Sequence, residues 1–340
     1  MPVVGTLILL VLLTIAGCVE AGRGGRGFED RTATEGELLA LVSAAIRAAP
    51  HPGAGGDDAI AYADLAAARE QLGLPEDAGF PGPRKRRLLF SFAARPLYGF
   101  GTLFGPDPGL GPLGRILDGG RIEVAVGTNF AFSGPLADEV GPGDVVVVRT
   151  RQPFGEMADR LRRAGYEEVA GGLLLGGEPI GLNEPRIATS YDGFPFPAVG
   201  DAGGGVVVFG GSARAVRAAL RGGGAEPTPA AELVAELPGV ARLARGEPFG
   251  VDCVMAIGLG EEAAPRTGKL VVVVDGQAEA DRLLFGGVTY VSGFPASDSQ
   301  VAFGEATAEG ERATVRFSST DRFNPTRLPI EEVWNPYDCS

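Results

Sequence analysis

Apolar positions along this chain follow three rhythms, and each predicts its own kind of element. At helical spacing, Leu38, Leu39, Val42, Ala45 and Ile46 fall on one face and predict a helix from about Glu35 to Ala49, with Thr34 and Glu37 placed as a capping box. A second rhythm is a short apolar run followed by an amphipathic stretch, the mark of a strand leading into a helix. It occurs four times: Ala59 to Tyr62, then a helix capped by Asp64; Asp144 to Thr150, then Phe154 to Ala164, closed by Gly165; Gly205 to Gly210, then Ser212 to Arg221; and Lys269 to Asp275, then Gln277 to Phe285. The third rhythm is alternation. It predicts a ladder of Arg121 to Val126 with Ala131 to Ser133, and a hairpin of Gln300 to Thr307 with Arg312 to Ser318 around Glu309-Gly310.

Strand-then-helix units mixed with hairpins indicate an α+β fold of mixed, largely antiparallel sheets with helices packed on one face. Two of the helices share Ala-Asp-Arg-Leu, at 158–161 and 280–283, a trace of internal repetition. The Pro-, Gly- and Ala-rich stretch Gly222 to Pro229 is the expected internal boundary. It divides the body into a first α+β region, 58–224, and a second, 225–340, which carries the C-terminal tail.

A different pattern opens the chain. Val3 to Ile15 contains only Val, Gly, Thr, Leu and Ile, the length and character of a secretory h-region and short for a membrane-spanning helix. It runs into Ile15-Ala16-Gly17-Cys18. These four residues resemble the lipobox of bacterial lipoproteins, in which an aliphatic and two small residues precede a cysteine. The departure from the pattern is that no Lys or Arg precedes the run. The resemblance implies cleavage of a 1–17 signal peptide between Gly17 and Cys18, lipidation of Cys18, and an extracytoplasmic protein held to the cell membrane by its acyl chains, including palmitate. Residues 18–57 then form a tether, glycine-rich from Ala21 to Gly27, and the first helix.

The body also looks like a lipoprotein. Tyr62-Ala63-Asp64-Leu65-Ala66-Ala67-Ala68-Arg69, then Leu72-Gly73-Leu74-Pro75, and later Leu161-Arg162-Arg163-Ala164-Gly165-Tyr166, are similar to uncharacterised lipoproteins of high-GC actinobacteria. That resemblance extends over most of residues 58 to 320 and brings no catalytic residue with it.

Composition narrows the chemistry. The 340 residues carry 43 acidic against 30 basic side chains, a net charge of −13, which disfavours nucleic acid as a partner. With Cys18 lipidated, Cys253 and Cys339 remain, and an even remainder in an exported chain reads as a disulfide. Such a bridge closes a long loop and stabilises by about 4 to 5 kcal/mol in the chain-entropy model. The alternative is a buried Cys253 and a free Cys339 thiol. His51 is the single histidine and lies between prolines in a loop, so neither a histidine-based mechanism nor an ordinary zinc site is expected. Gly109-Leu110-Gly111-Pro112-Leu113-Gly114 has the letters of a dinucleotide fingerprint but follows Pro106-Asp107-Pro108 instead of a strand. No catalytic residue, metal or cofactor is assigned.

Three stretches qualify as recognition surfaces. Arg84, Lys85, Arg86 and Arg87 form a basic cluster suited to an anionic headgroup or wall polymer. Tyr98, Phe100 and Phe104, and separately Tyr191, Phe194 and Phe196, are aromatics on Pro- and Gly-rich loops, suited either to a binding platform or to plugging the core. The expectation is a lipid-anchored, non-catalytic binding or scaffolding protein, its partners the membrane and a cell-envelope protein or polymer. The second reading is a solute-binding lipoprotein of a transporter, and the third a carboxylate-dependent hydrolase.

Overall fold

Thr34 and Glu37 close a reciprocal cap at the start of the first helix, α1 (Glu35–Ala48): the Thr34 backbone N–H donates to Glu37 Oε2 at 2.8 Å, and the Glu37 N–H donates to Thr34 Oγ1 at 3.4 Å. In this computed structural model the chain is described over residues 32–48, 60–71, 75–76, 116–128, 143–169, 172–176, 196–222, 224–246, 254–259, 267–273 and 301–319. The expected strand Ala131 to Ser133 and helix Gln277 to Phe285 lie outside them.

The first strand, β1 (Ile60–Asp64), passes directly into α2 (Leu65–Gln71), and Asp64 Oδ1 accepts the Ala67 N–H at 2.8 Å, the cap expected of it. A 3₁₀ turn, Gly119–Arg121, leads into β2 (Ile122–Thr128), followed by β3 (Val145–Thr150) and α3 (Phe154–Arg163). Two hairpins follow, β4 (Tyr166–Val169) with β5 (Leu173–Gly176) and β6 (Ala198–Gly203) with β7 (Val206–Gly210). The helices α4 (Ala213–Arg221) and α5 (Pro229–Glu236) come next. The chain then forms β8 (Ala241–Gly246), β9 (Val254–Leu259), β10 (Thr267–Val273) and the hairpin β11 (Val301–Glu309) with β12 (Arg312–Ser319).

The twelve strands of the described residues join one antiparallel sheet in the order β11-β12-β10-β9-β8-β1-β2-β3-β7-β6-β5-β4. The fold is therefore α+β. Its two halves meet at β1 and β8, which pair antiparallel with Tyr62 opposite Arg242. Each half repeats one plan. Three strands run in antiparallel succession, and the second strand of a later hairpin lies against the third, β7 on β3 and β12 on β10. The Ala-Asp-Arg-Leu of the first half sits in α3, just after β3; its counterpart lies outside the described residues.

The boundary expected at Gly222 to Pro229 falls between β7 and β8 along the chain. The stretch connects two helices of one layer, and the sheet is continuous across it. Its composition comes from helix ends: Gly222 ends α4, while Thr228 Oγ1 accepts the Ala231 N–H to open α5 with Pro229 in its first turn. Both ends are tied to α1. The Thr228 N–H donates to Ser43 Oγ at 3.2 Å, and a Cβ on Gly222 would come within 2.1 Å of Ala44 Cβ.

The two faces of the sheet separate as the period of two requires. Val124, Val126, Val145, Val147, Val206 and Val208 share one buried cluster with α1, α4 and α5. Their neighbours Val146, Val148, Val207 and Phe209 point to the opposite face and are equally buried. A run of four valines in β3 is thus the signature of a strand covered on both sides. Each fully buried Val of β3 and β7 contributes roughly 2 kcal/mol of apolar burial.

Candidate functional site

Of the residues singled out in the sequence as recognition or modification sites, Phe196 alone is described. Gly17, Cys18, Cys253, Cys339, Arg84, Lys85, Arg86, Arg87, Tyr98, Phe100, Phe104, Tyr191 and Phe194 lie outside the described residues. Phe196 is not part of a surface: it is fully buried, with its ring 5.8 Å from that of Phe209. Its carbonyl accepts the Tyr166 hydroxyl at 2.6 Å, which fixes Phe196 itself, just ahead of β6, onto the sheet. The reason is local. Phe196 sits two residues ahead of Ala198, within reach of the valine-lined face, where its burial outweighs any exposed role.

Charged side chains in the described residues sort into three arrangements. The first is a buried staple between α1 and β8. Arg242 donates to both oxygens of Glu35, at 2.5 and 2.8 Å, and to the carbonyls of Val234 and Gly239. Its guanidinium also lies over the Tyr62 ring, 4.1 Å from the centroid. Burial, reinforced by the negative charges of Glu35 and Asp64, pushes the Tyr62 phenol above its ordinary pKa, so it stays neutral. All of these groups are committed to one another, and the staple fastens the start of α1 to the β1–β8 seam.

The second arrangement is a corner built by α2, the 3₁₀ turn and α3. Arg69 is buried and donates to the Gly119 and Ile122 carbonyls at 2.8 Å each. Burial, and then the nearby charge of Arg151, lower its pKa. Around it Arg149 pairs with Glu123, Arg151 with Glu76, and Arg121 with Glu156. Gln152 links the Asp118 N–H to the Ile116 carbonyl. Among the described residues no group of three His, Cys, Asp or Glu side chains is placed to hold a metal ion.

The third arrangement is the outer face of α4, and the sequence reading passed it by. Arg214, Arg217 and Arg221 are exposed on this helix, while Ala215, Val216 and Ala219 are buried beneath it. Spacings of three and four place the three guanidinium stems within about 60° of one another around the axis. No carboxylate among the described residues pairs with them. The sequence signal was available: between Asp201 and Glu226 there is not one acidic residue, in a chain of net charge −13. Ser212 caps the helix by accepting the Ala215 N–H at 3.2 Å. Two strand glycines seat it close to the sheet, since a Cβ on Gly200 would meet Val216 and Leu220 at 2.8 Å, and one on Gly210 would meet Val216 at 2.6 Å.

No protein-family model, curated protein or solved structure matches this chain. The functional reading therefore rests on its own residues.

Proposed function

We propose that this chain is a lipid-anchored extracytoplasmic protein whose body binds or scaffolds a component of the cell envelope without catalysing a reaction. The observation that carries the reading is Ile15-Ala16-Gly17-Cys18 directly behind the apolar run Val3 to Ile15. The fold supports it. A capped helix begins at Glu35, and the body already includes Ala33, buried in the core with its carbonyl accepting from Arg149, so fourteen residues separate the lipidated cysteine from the fold. In support of a binding role, the carboxylates at the α3 corner are engaged by arginines, whereas the α4 arginines are exposed and unpaired with any carboxylate among the described residues.

Reading the chain as a solute-binding lipoprotein relies on a two-part body with a cleft between the parts. The β1–β8 pairing joins those parts in one sheet, which favours the surface-binding reading. Cys253, one residue before β9, and Cys339 are proposed as a disulfide that ties the C-terminal tail to the second half of the sheet.

Mass spectrometry of the mature protein tests the anchor. The expected N-terminal peptide begins at Cys18 and carries a diacylglyceryl thioether with an acylated amine, and Cys18→Ser releases the protein from membranes. An intact leader with an unmodified Cys18 overturns the reading. Crosslinking on intact cells then identifies what the body holds.

A further inference from the structure

We infer that the outer face of α4 is a docking surface for anionic phospholipid headgroups, laying the body of the protein against the membrane that its anchor occupies. The inference rests on the lipid-anchor reading and names the partner of the α4 face. Charge is the first argument. Arg214, Arg217 and Arg221 form a stripe that no carboxylate among the described residues pairs with, on a molecule whose net charge of −13 is repelled overall by an anionic leaflet. Such a molecule has a strong electrostatic preference for the orientation that turns this stripe toward the leaflet. Arginine suits the task, because its guanidinium forks match phosphate oxygens in pairs.

Reach is the second argument. Fourteen residues separate Cys18 from Ala33, where the folded body begins, and that length of chain can reach at most roughly 46 to 50 Å. The chain enters α1 at Glu35, and α1 packs against α4, with Ala44 in contact with Gly222 at the end of the stripe. Glu35 lies about 14 Å along the helix from Ala44, well inside the tether's span. The anchor therefore holds the stripe within reach of headgroups without strain in the tether. Arg47, exposed near the end of α1, donates to the Pro227 carbonyl and adds a fourth positive charge beside the α4 terminus.

The test is arginine footprinting of the lipidated protein with phenylglyoxal, read by peptide mass spectrometry. The protein is reconstituted either in vesicles of phosphatidylcholine alone or in vesicles of equal parts phosphatidylglycerol and phosphatidylcholine. Each arginine near an anionic leaflet favours the docked state by about fivefold, so Arg214, Arg217 and Arg221 are expected to react more than about fivefold more slowly on the phosphatidylglycerol vesicles. Raising the salt to 1 M, where the Debye length falls to about 3 Å, should abolish the protection. Equal rates on the two vesicles, with Cys18 lipidated, overturn the docking face and leave the anchor reading standing. Protection by polyglutamate but not by phosphatidylglycerol overturns it in favour of an acidic protein partner. A chain with unmodified Cys18 that stays in the supernatant overturns the anchor reading itself.

Discussion

At the corner built by α2, the 3₁₀ turn and α3, each of the arginines Arg69, Arg121, Arg149 and Arg151 donates to a carbonyl or a carboxylate. On the outer face of α4, Arg214, Arg217 and Arg221 point into solvent with no such partner among the described residues. The two regions are alike in composition and opposite in energetics. Arg69, buried inside the corner, satisfies carbonyls that would otherwise lose their water, so removing it leaves a penalty behind. A guanidinium on α4 is already solvated, and removing it costs the fold almost nothing. Arginine content alone therefore does not mark a recognition surface.

The contrast breaks first at the buried end. Arg242→Ala leaves Glu35 and two carbonyls without their donor and is expected to destabilise the protein by about 3 kcal/mol, the lower end for a broken buried pair because Glu35 is partly exposed. Urea denaturation measures this, and a loss below 1 kcal/mol would remove the staple from the account. Arg69→Ala strips the Gly119 and Ile122 carbonyls and should cost about 2 kcal/mol in the same assay.

Tyr62 supplies a pH-dependent version of the comparison. Its folded pKa is raised above the unfolded value of about 10, so its contribution is fully present below pH 10. Above that the unfolded state gives up a proton that the folded state keeps, and stability falls by up to about 1.4 kcal/mol per pH unit. In Tyr62→Phe this part of the alkaline slope should disappear; identical slopes in the two proteins between pH 10 and 11 would contradict it.

Thr34→Ala removes one half of the capping box and is expected to cost about 1 kcal/mol in thermal unfolding. The smallest effect belongs to α4. Replacing Arg214, Arg217 and Arg221 together by Gln should leave stability within about 0.5 kcal/mol of the parent. Arg312→Ala, which breaks an exposed pair with Glu236, belongs in the same range. A triple variant that unfolded like Arg242→Ala would erase the distinction between the two regions.

What the sequence made legible was local. The Thr34/Glu37 box, the Asp64 cap, Ser212 at the head of α4 and the Glu309-Gly310 turn, where Gly310 has φ 59°, depend on residues a few positions apart. Their signals lie entirely within short windows. The pairing of Tyr62 with Arg242 links positions roughly 180 residues apart, and no periodicity announces a contact at that distance. The Gly222 to Pro229 stretch is ambiguous for a related reason: glycine and proline mark helix ends as well as linkers, and the two are told apart by what packs on either side. Phe196 carried the same ambiguity, since an aromatic next to prolines looks alike whether it faces water or Phe209. The α4 stripe was readable as an acid-free window, but its significance required knowing which side of the helix the sheet covers.

The β1–β8 seam also sets an order of assembly. Strands β1, β2, β3 and β7 are complete by residue 210, whereas β8 begins at Ala241. Until β8 forms, β1 has a partner on one side only and presents an open row of hydrogen-bonding groups, the kind of edge that recruits other chains. Closing the seam is thus expected to be the slow and aggregation-sensitive step, because its contacts are among the least local in the molecule. Pulse-labelled hydrogen exchange during refolding should show β1 amides protected after those of β3. The strand at the centre of the finished sheet spends early folding as its exposed margin.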